Sequence, residues 1–213
     1  MLDLDDAAGT ELPLDEYRED FRARQWNIPH EDSWKLECGQ HFTEPGFPSW
    51  DAFARGAWEK SLTLLEEERD FLAEFGARAR REHIGLYRVR VVDEPLTPYL
   101  QWELHLLRLR AEYGERIRVL STARSESARR LAPEEAKGQE LLTLGAHTLY
   151  RIRYDPSGRL AGAARFSDTS LVAQAAERMS RLYDEGEDVA RYFQRSVAPL
   201  PPPTVGPDGR RRA

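Results

Sequence analysis

The spacing of apolar and polar positions changes several times along this chain, and each change marks an element. Leu14, Tyr17 and Phe21 fall at i, i+3 and i+7, which predicts a short helix from Leu14. Trp34 and Leu36 then alternate with Lys35 and Glu37, the period of a half-buried strand. Pro45, Gly46 and Pro48 break the chain, and Ser49 is a suitable N-cap for a helical stretch over 50–82. There Trp50, Phe53, Ala54 and Ala57 share one face, and Leu62, Leu65, Arg69, Leu72 and Phe75 continue a mostly apolar stripe. Glu66-Glu67-Glu68 lies off that stripe, as a solvated face does. Gly76 is expected to interrupt or cap the helix, and Gly85 to end the segment.

Residues 86–92 carry the first clear strand, with Arg88 and Arg90 alternating against Tyr87, Val89 and Val91. Pro95 blocks helix until Thr97, which caps a helix starting at Pro98. Leu100, Leu104, Leu107 and Ala111 mark its buried side, broadened by Trp102 and Leu106. Residues 116–120 form the next strand. Strand, helix, strand is a β-α-β unit, which favours a parallel pair with a right-handed crossover. Next are predicted a short helix at 125–131, a loop at 133–138, a weak strand at 140–144 and a strong one at 147–154. Asp155-Pro156-Ser157-Gly158 has the chemistry of a hairpin turn, and 159–166 is the returning strand. Asp168 or Thr169 caps a helix with Leu171, Val172, Ala175, Met179 and Leu182 along one side, and a last short helix covers 187–194.

These elements predict an α/β fold: a two-layer mixed sheet with a β-α-β unit, a later hairpin and C-terminal helices. Residues 1–25 read as an acidic, partly disordered N-terminal arm, residues 26–196 as a single α/β domain, and residues 197–213 as a disordered proline-rich tail.

At 213 residues, with 40% hydrophobic and 32% charged, the chain is long enough to bury a core and polar enough to stay in solution. A net charge of −6 argues against general nucleic-acid affinity while leaving local patches open. A single cysteine, Cys38, excludes an internal disulfide and a multi-cysteine zinc site. The acidic N-terminus lacks the basic and apolar regions of a signal peptide, and no apolar run reaches the ~18 residues of a membrane span. The expected setting is the cytoplasm, away from membranes.

The candidate chemistry lies in the arginines. Arg88 and Arg90 share a face of one strand, Arg116 and Arg118 of the next, and Arg151 and Arg153 of a third, with apolar residues between them. If those strands neighbour one another in register, six guanidinium groups line one sheet face. Such a face suits a phosphate, a carboxylate or an acidic protein, because the guanidinium fork grips oxyanions bidentately. The plainer reading is an open sheet face whose arginines pair with nearby Glu and Asp. A third reading covers that face with the acidic N-terminal arm or the Glu66–Glu68 helix. No catalytic, metal or cofactor site is expected: the five histidines are scattered, and Cys38 with His41 gives zinc two ligands at most. Cys38 with His41 or His30 could serve as a nucleophile pair, although a lone cysteine is more often inert packing. Tyr99 and Trp102 beside arginines could stack a base, but Trp102 reads more simply as core.

The element order is similar to one half of the phospholipase-D-like fold, whose signature is His-x-Lys-x4-Asp. Here His147 is followed by Leu149 and Tyr154 at the lysine and aspartate positions, so no such catalysis is carried over. A second resemblance rests on Arg88-Val89-Arg90-Val91-Val92, Glu94-Pro95-Leu96-Thr97, Gly114-Glu115-Arg116-Ile117-Arg118 and Asp155 with Gly158-Arg159 and Gly162-Ala163. On these residues the chain resembles an actinobacterial family of uncharacterised proteins, a domain of unknown function, over residues 34–192. That resemblance implies no catalytic residues. It does imply a regulatory or conflict-system role, since members are often encoded near helix-turn-helix regulators. The expected function is a non-catalytic module that binds a protein partner or an anionic ligand through the arginine face. The alternative is a phosphoester hydrolase or nuclease holding phosphate there.

Overall fold

The β-α-β unit forms where the apolar period places it. A computed structural model describes residue 4, residues 9–131 and residues 140–205; the 133–138 loop lies outside them, as do residues 1–3 and 5–8 of the expected arm and 206–213 of the expected tail, whereas residues 197–205 of that tail lie within them and bury Val197 and Val205. Strand β3 (Gly85–Val92) pairs in parallel with β4 (Arg116–Ser121), Tyr87 opposite Arg116 and Val92 opposite Ser121. Helix α5 (Pro98–Glu112) makes the crossover. Its cap is Thr97, whose Oγ1 accepts from the Leu100 N–H at 3.1 Å, with Pro98 at the first helical position. Leu100, Leu104 and Leu107 pack on Val92, Ile117 and Val119 and on Tyr192 and Phe193 of α8 (Val189–Ser196).

The other strands extend this pair into one mixed sheet. They are β1 (Thr10–Pro13), β2 (Asp32–Glu37), β5 (Leu141–Leu144), β6 (Thr148–Tyr154), β7 (Leu160–Phe166) and β8 (Glu187–Asp188), in the order β1-β7-β6-β5-β2-β3-β4-β8. Strand β2 runs parallel to β3, while β5, β6 and β7 form an antiparallel meander turned at 155–158. The remaining helices are α1 (Leu14–Arg24), α2 (Pro48–Ala54), α3 (Trp58–Glu66), α4 (Arg69–Arg81), α6 (Glu126–Arg129) and α7 (Thr169–Glu185).

Both sheet faces carry helices, so the α/β class stands but the two-layer expectation gives way to three. Helix α7 covers one face, setting Val172, Ala175 and Met179 on Leu36, Val89, Val91, Leu141 and Phe166. The opposite face is shared. Helices α5 and α8 cover the β4 side, and α1 covers the β6 side, with Tyr17 against Leu142, Tyr150 and Ile152.

Three departures from the sequence reading have local causes. Strand β1 holds one buried residue, Leu12, so no apolar period announces it; backbone pairing with β7 makes it. Gly162 permits that approach, because a Cβ there would lie 2.3 Å from the Leu12 carbonyl oxygen. Residues 10–24 of the expected arm are therefore part of the fold. Ser49 caps nothing. It lies inside α2, where its Oγ donates to the Ser61 carbonyl at 2.9 Å and accepts from Trp102 Nε1 at 3.0 Å.

Gly76 neither interrupts nor caps α4 but lies buried in its interior. A Cβ there would sit 2.1 Å from the backbone oxygen of Tyr113, so glycine lets α4 lie against the end of α5. Gly76→Ala is expected to lower stability by about 2 kcal/mol, since the nearest atom is backbone and cannot swing away. A urea midpoint equal to that of the parent chain would show that α4 shifts freely instead.

Candidate functional site

Strand register separates the six arginines. Arg88 stands opposite Ile117 and Val89 opposite Arg118, so Arg88 and Arg90 point to the α1/α5 face while Arg116 and Arg118 point to the α7 face. Leu36 pairs with Leu141, and Leu141 with Arg151, which puts Arg151 and Arg153 on the α7 face as well. A single six-arginine face therefore does not exist. Its two best candidates are also buried: Arg90 is 0% exposed and Arg88 7%. Arg116 lies over the Tyr87 ring, Arg118 donates to the Gly186 carbonyl at 3.1 Å, and Arg153 pairs with Glu11 at 2.7 Å.

The α1/α5 face holds an alternating ionic chain instead. Lys35 Nζ meets Glu37 Oε1 at 2.6 Å, and Arg88 Nη1 meets Glu37 Oε2 at 2.5 Å. Arg88 Nε continues to Glu115 Oε1 at 2.6 Å, and Arg110 Nε ends the chain on Glu115 Oε2 at 2.5 Å. Parallel strands β2 and β3 set Lys35 beside Arg88 and Glu37 beside Arg90, and the last turn of α5 supplies Arg110. Burial works against both carboxylates. For Glu37 it is overcome by Arg88, Lys35 and Arg90, and for Glu115 by Arg110 and Arg88, so both are held well below the usual range.

A second cluster adjoins this chain. Arg90 Nε donates to Glu103 Oε2 at 2.6 Å, and its Nη2 donates to the Gly39 carbonyl at 2.6 Å. The Tyr99 hydroxyl donates to Glu44 Oε1 at 2.6 Å and lies 3.2 Å from Glu103 Oε1. Burial, with Glu103 and Glu37 nearby, pushes Glu44 up to about 7 against the pull of the Tyr99 hydroxyl. Burial and Glu37 push Glu140 to about 7 as well, although Cys38 N–H and Gly39 N–H both donate to its Oε1.

Two cavities open over these groups. The larger, about 480 Å³, has walls from Tyr17 and Phe21 of α1, Trp26, Phe75 of α4, Leu86 and Ile152, and a floor of Lys35, Arg88, Arg110 and Glu115. The second, about 440 Å³, is lined by Glu37, Phe42, Glu44, Phe47, Tyr99, Tyr154 and Arg159 among others. Arg18, Lys35 and Leu160 border both. Around the pair stand the cations Arg18, Arg22, Lys35, Arg88, Arg110 and Arg159 against only three carboxylates, Glu37, Glu44 and Glu115. A chain of net charge −6 thus keeps a cationic cleft. Arg18, Arg22 and Arg159 carry no period that would mark them; the fold brings them together from α1 and the β6–β7 hairpin.

The minor candidates resolve simply. Cys38 is buried at 1% exposure and its thiol is pushed up by burial, unlike an activated nucleophile. His30 stacks on His83 at 4.7 Å. Tyr99 and Trp102 are at most 1% exposed and so offer no face to a base. Among the described residues, no group of three His, Cys, Asp or Glu is placed to hold a metal ion, and no helix is long and apolar enough to cross a membrane.

No match to this chain was found among curated proteins or solved structures, so the element-order likeness to a phospholipase-D-like half has no structural counterpart to support it. One family model does match, a domain of unknown function, over residues 19–194, which takes in the second half of α1, all of the central sheet except the edge strand β1, and most of the residues lining both cavities. On that span the chain belongs to the DUF6879 family of domains of unknown function.

Proposed function

We propose that this domain is a non-catalytic binding module that takes an anionic group in the cleft between α1 and the sheet. The supporting observation is the ionic chain Lys35–Glu37–Arg88–Glu115–Arg110, which begins and ends in a cation beneath a cavity. Lys35 has three N–H donors and, among the described residues, one carboxylate partner, Glu37. An anion at Lys35, with Arg18 and Arg159 at the rim, would complete the alternation. The role is regulatory, in the cytoplasm, and the protein partner we propose to read the bound state is a helix-turn-helix regulator. Of the six arginines, Arg88 forms part of the floor of the cleft and Arg90 pairs with Glu103 in the core, while Arg116 and Arg118 on β4 and Arg151 and Arg153 on β6 lie on the opposite sheet face.

Pyrophosphate added at constant ionic strength is expected to raise the melting temperature by a few degrees. The triple variant Lys35→Met/Arg18→Ala/Arg159→Ala is expected to lose that rise while still folding, since Arg18 and Arg159 are exposed and Glu37 keeps Arg88 as its partner when Lys35 is removed. A parent chain that does not respond, or a variant that responds equally, would sink the reading.

A second reading, phosphoester hydrolysis, is favoured by one feature. Glu44, held near 7 beside Tyr99 in a cavity with Arg159 and Lys35, has the ionisation of a general base poised at neutral pH. Turnover of nitrophenyl phosphodiesters that vanishes in Glu44→Gln would establish it; no turnover in the parent chain would end it.

A further inference from the structure

Resting on the anion-binding reading above, we propose that the ligand of this cleft is an amphipathic organic acid. Its single anionic head lies at Lys35, and its apolar body fills the larger cavity between α1 and α4.

The division of that cavity carries the argument. Its floor carries Lys35, Arg88, Arg110 and Glu115 and its exposed α1 edge carries Arg18 and Arg22, while Phe21, Trp26, Phe75, Leu86 and Ile152 give carbon walls. At about 480 Å³ it is within the size range of small-molecule sites, which combine apolar walls with a few placed polar groups. A bare inorganic ion would satisfy the floor and leave those walls wet. A neutral apolar molecule would cover the walls and leave the cation excess of the floor uncompensated. Only a ligand with both parts answers both surfaces.

The rim points the same way. Phe71, 58% exposed, lies 6.1 Å from the wall residue Phe75 and adds exposed apolar surface beside it. Trp26 meets Phe75 edge-on at 4.8 Å, with the Arg78 guanidinium 4.4 Å over its ring. An aromatic wall rimmed by cations attracts an organic anion and offers little to a cation. Lys35 borders both cavities, so a head held there leaves the second cavity, with Glu44 and Tyr99, open to water or to a longer head group.

Titration calorimetry on the full chain tests this with decanoate and 1-naphthoate as acids with a chain and a ring body, acetate as a head without a body, and 1-decanol as a body without a head. Decanoate or 1-naphthoate is expected to bind at least tenfold more tightly than either acetate or decanol, with affinity rising about fourfold per CH₂ along a series of fatty acids. Leu86→Trp, which narrows the larger cavity, is expected to weaken the preferred acid at least tenfold while leaving the pyrophosphate response unchanged. Should that variant melt early, Phe21→Gln on the half-buried α1 wall serves the same purpose. Acetate or decanol binding as well as the full acids would overturn the inference, as would failure of both acids alongside a normal pyrophosphate response. Failure of every anion, pyrophosphate included, would overturn the anion-binding reading itself.

Discussion

Arg90→Ala is expected to lower stability by about 4 kcal/mol, a cost typical of breaking one partner out of a buried ion pair. Arg90 is 0% exposed and lies in the middle of a central strand. Its guanidinium donates to Glu103 Oε2 and to the carbonyls of Gly39, Val91 and Glu37. Truncation removes every one of those donors and leaves the buried Glu103 carboxylate with the Tyr99 hydroxyl as its remaining hydrogen-bond partner. The pair itself is a different matter. Arg90→Leu combined with Glu103→Leu removes both charges, so most of the loss is expected to return, apart from the unsatisfied carbonyls. Urea denaturation of Arg90→Leu, Glu103→Leu and the double variant closes this cycle. Equal losses in Arg90→Ala and in the exposed Arg116→Ala would contradict it, because surface substitutions away from such networks cost within about 0.5 kcal/mol.

That contrast explains why the arginine alternation misleads when read from sequence. Period two does place Arg88 and Arg90 on one face of β3, and Arg116 and Arg118 on one face of β4. Which faces coincide depends on register, and Arg88 falls opposite Ile117, not Arg118. No property of a strand taken alone fixes that offset by one residue. The partners were nevertheless visible: Lys35 and Glu37 alternate on the neighbouring strand, Glu103 lies within the crossover helix and Glu115 just beyond its end. A charged residue every second position on a strand that also reads as central signals buried pairing, since central strands leave no face to solvent once both are covered by helices.

The helices and strands themselves were legible because most obey a clean period or a strong punctuation. Thr97-Pro98, Ser125 and Asp168 cap as their chemistry predicts. The turn after Glu94 is architectural, and the reason lies in Gln40. Its Oε1 accepts from the Asp93 N–H at 2.7 Å, its Nε2 donates to the Val91 carbonyl at 3.1 Å, and its own carbonyl accepts from Thr97 Oγ1 at 2.7 Å. One side chain and its backbone staple the end of β2 to the β3–α5 turn. The cleft was not legible, because its walls come from α1, α4, the β2–β3–β5–β6 surface and the hairpin, and long-range assembly of that kind has no local signature.

A pH experiment separates two opposing buried groups. Glu140 is 8% exposed and has its pKa raised from 4.5 to about 7, mainly by burial and then by Glu37, against Arg90 and the Cys38 and Gly39 amides. A carboxyl raised in the folded state binds its proton more tightly there than in the unfolded chain. Its contribution is therefore full below pH 4.5 and is lost as pH rises through about 7, on the order of 3 kcal/mol. Glu44 acts in the same direction, more weakly because it is partly exposed. His105 acts in the other. Burial between Trp58 and Phe193, with Arg108 beside it, lowers its pKa from 6.5 to about 4. The folded state resists protonating it, so its stabilising contribution is full above pH 6.5 and lost as pH falls through about 4. Between pH 4.5 and 6.5 these effects oppose, and the parent chain is expected to show a shallow profile. Glu140→Gln removes a falling contribution and is expected to tilt the profile upward with pH, gaining on the parent chain by an amount on the order of 3 kcal/mol between pH 4.5 and 7.5. His105→Gln is expected to tilt it downward over the same range. Urea midpoints at five pH values for the three proteins decide it. Parallel profiles would mean that neither group changes its proton affinity on folding, whereas tilts of opposite sign would place both burial effects on the page as measured quantities.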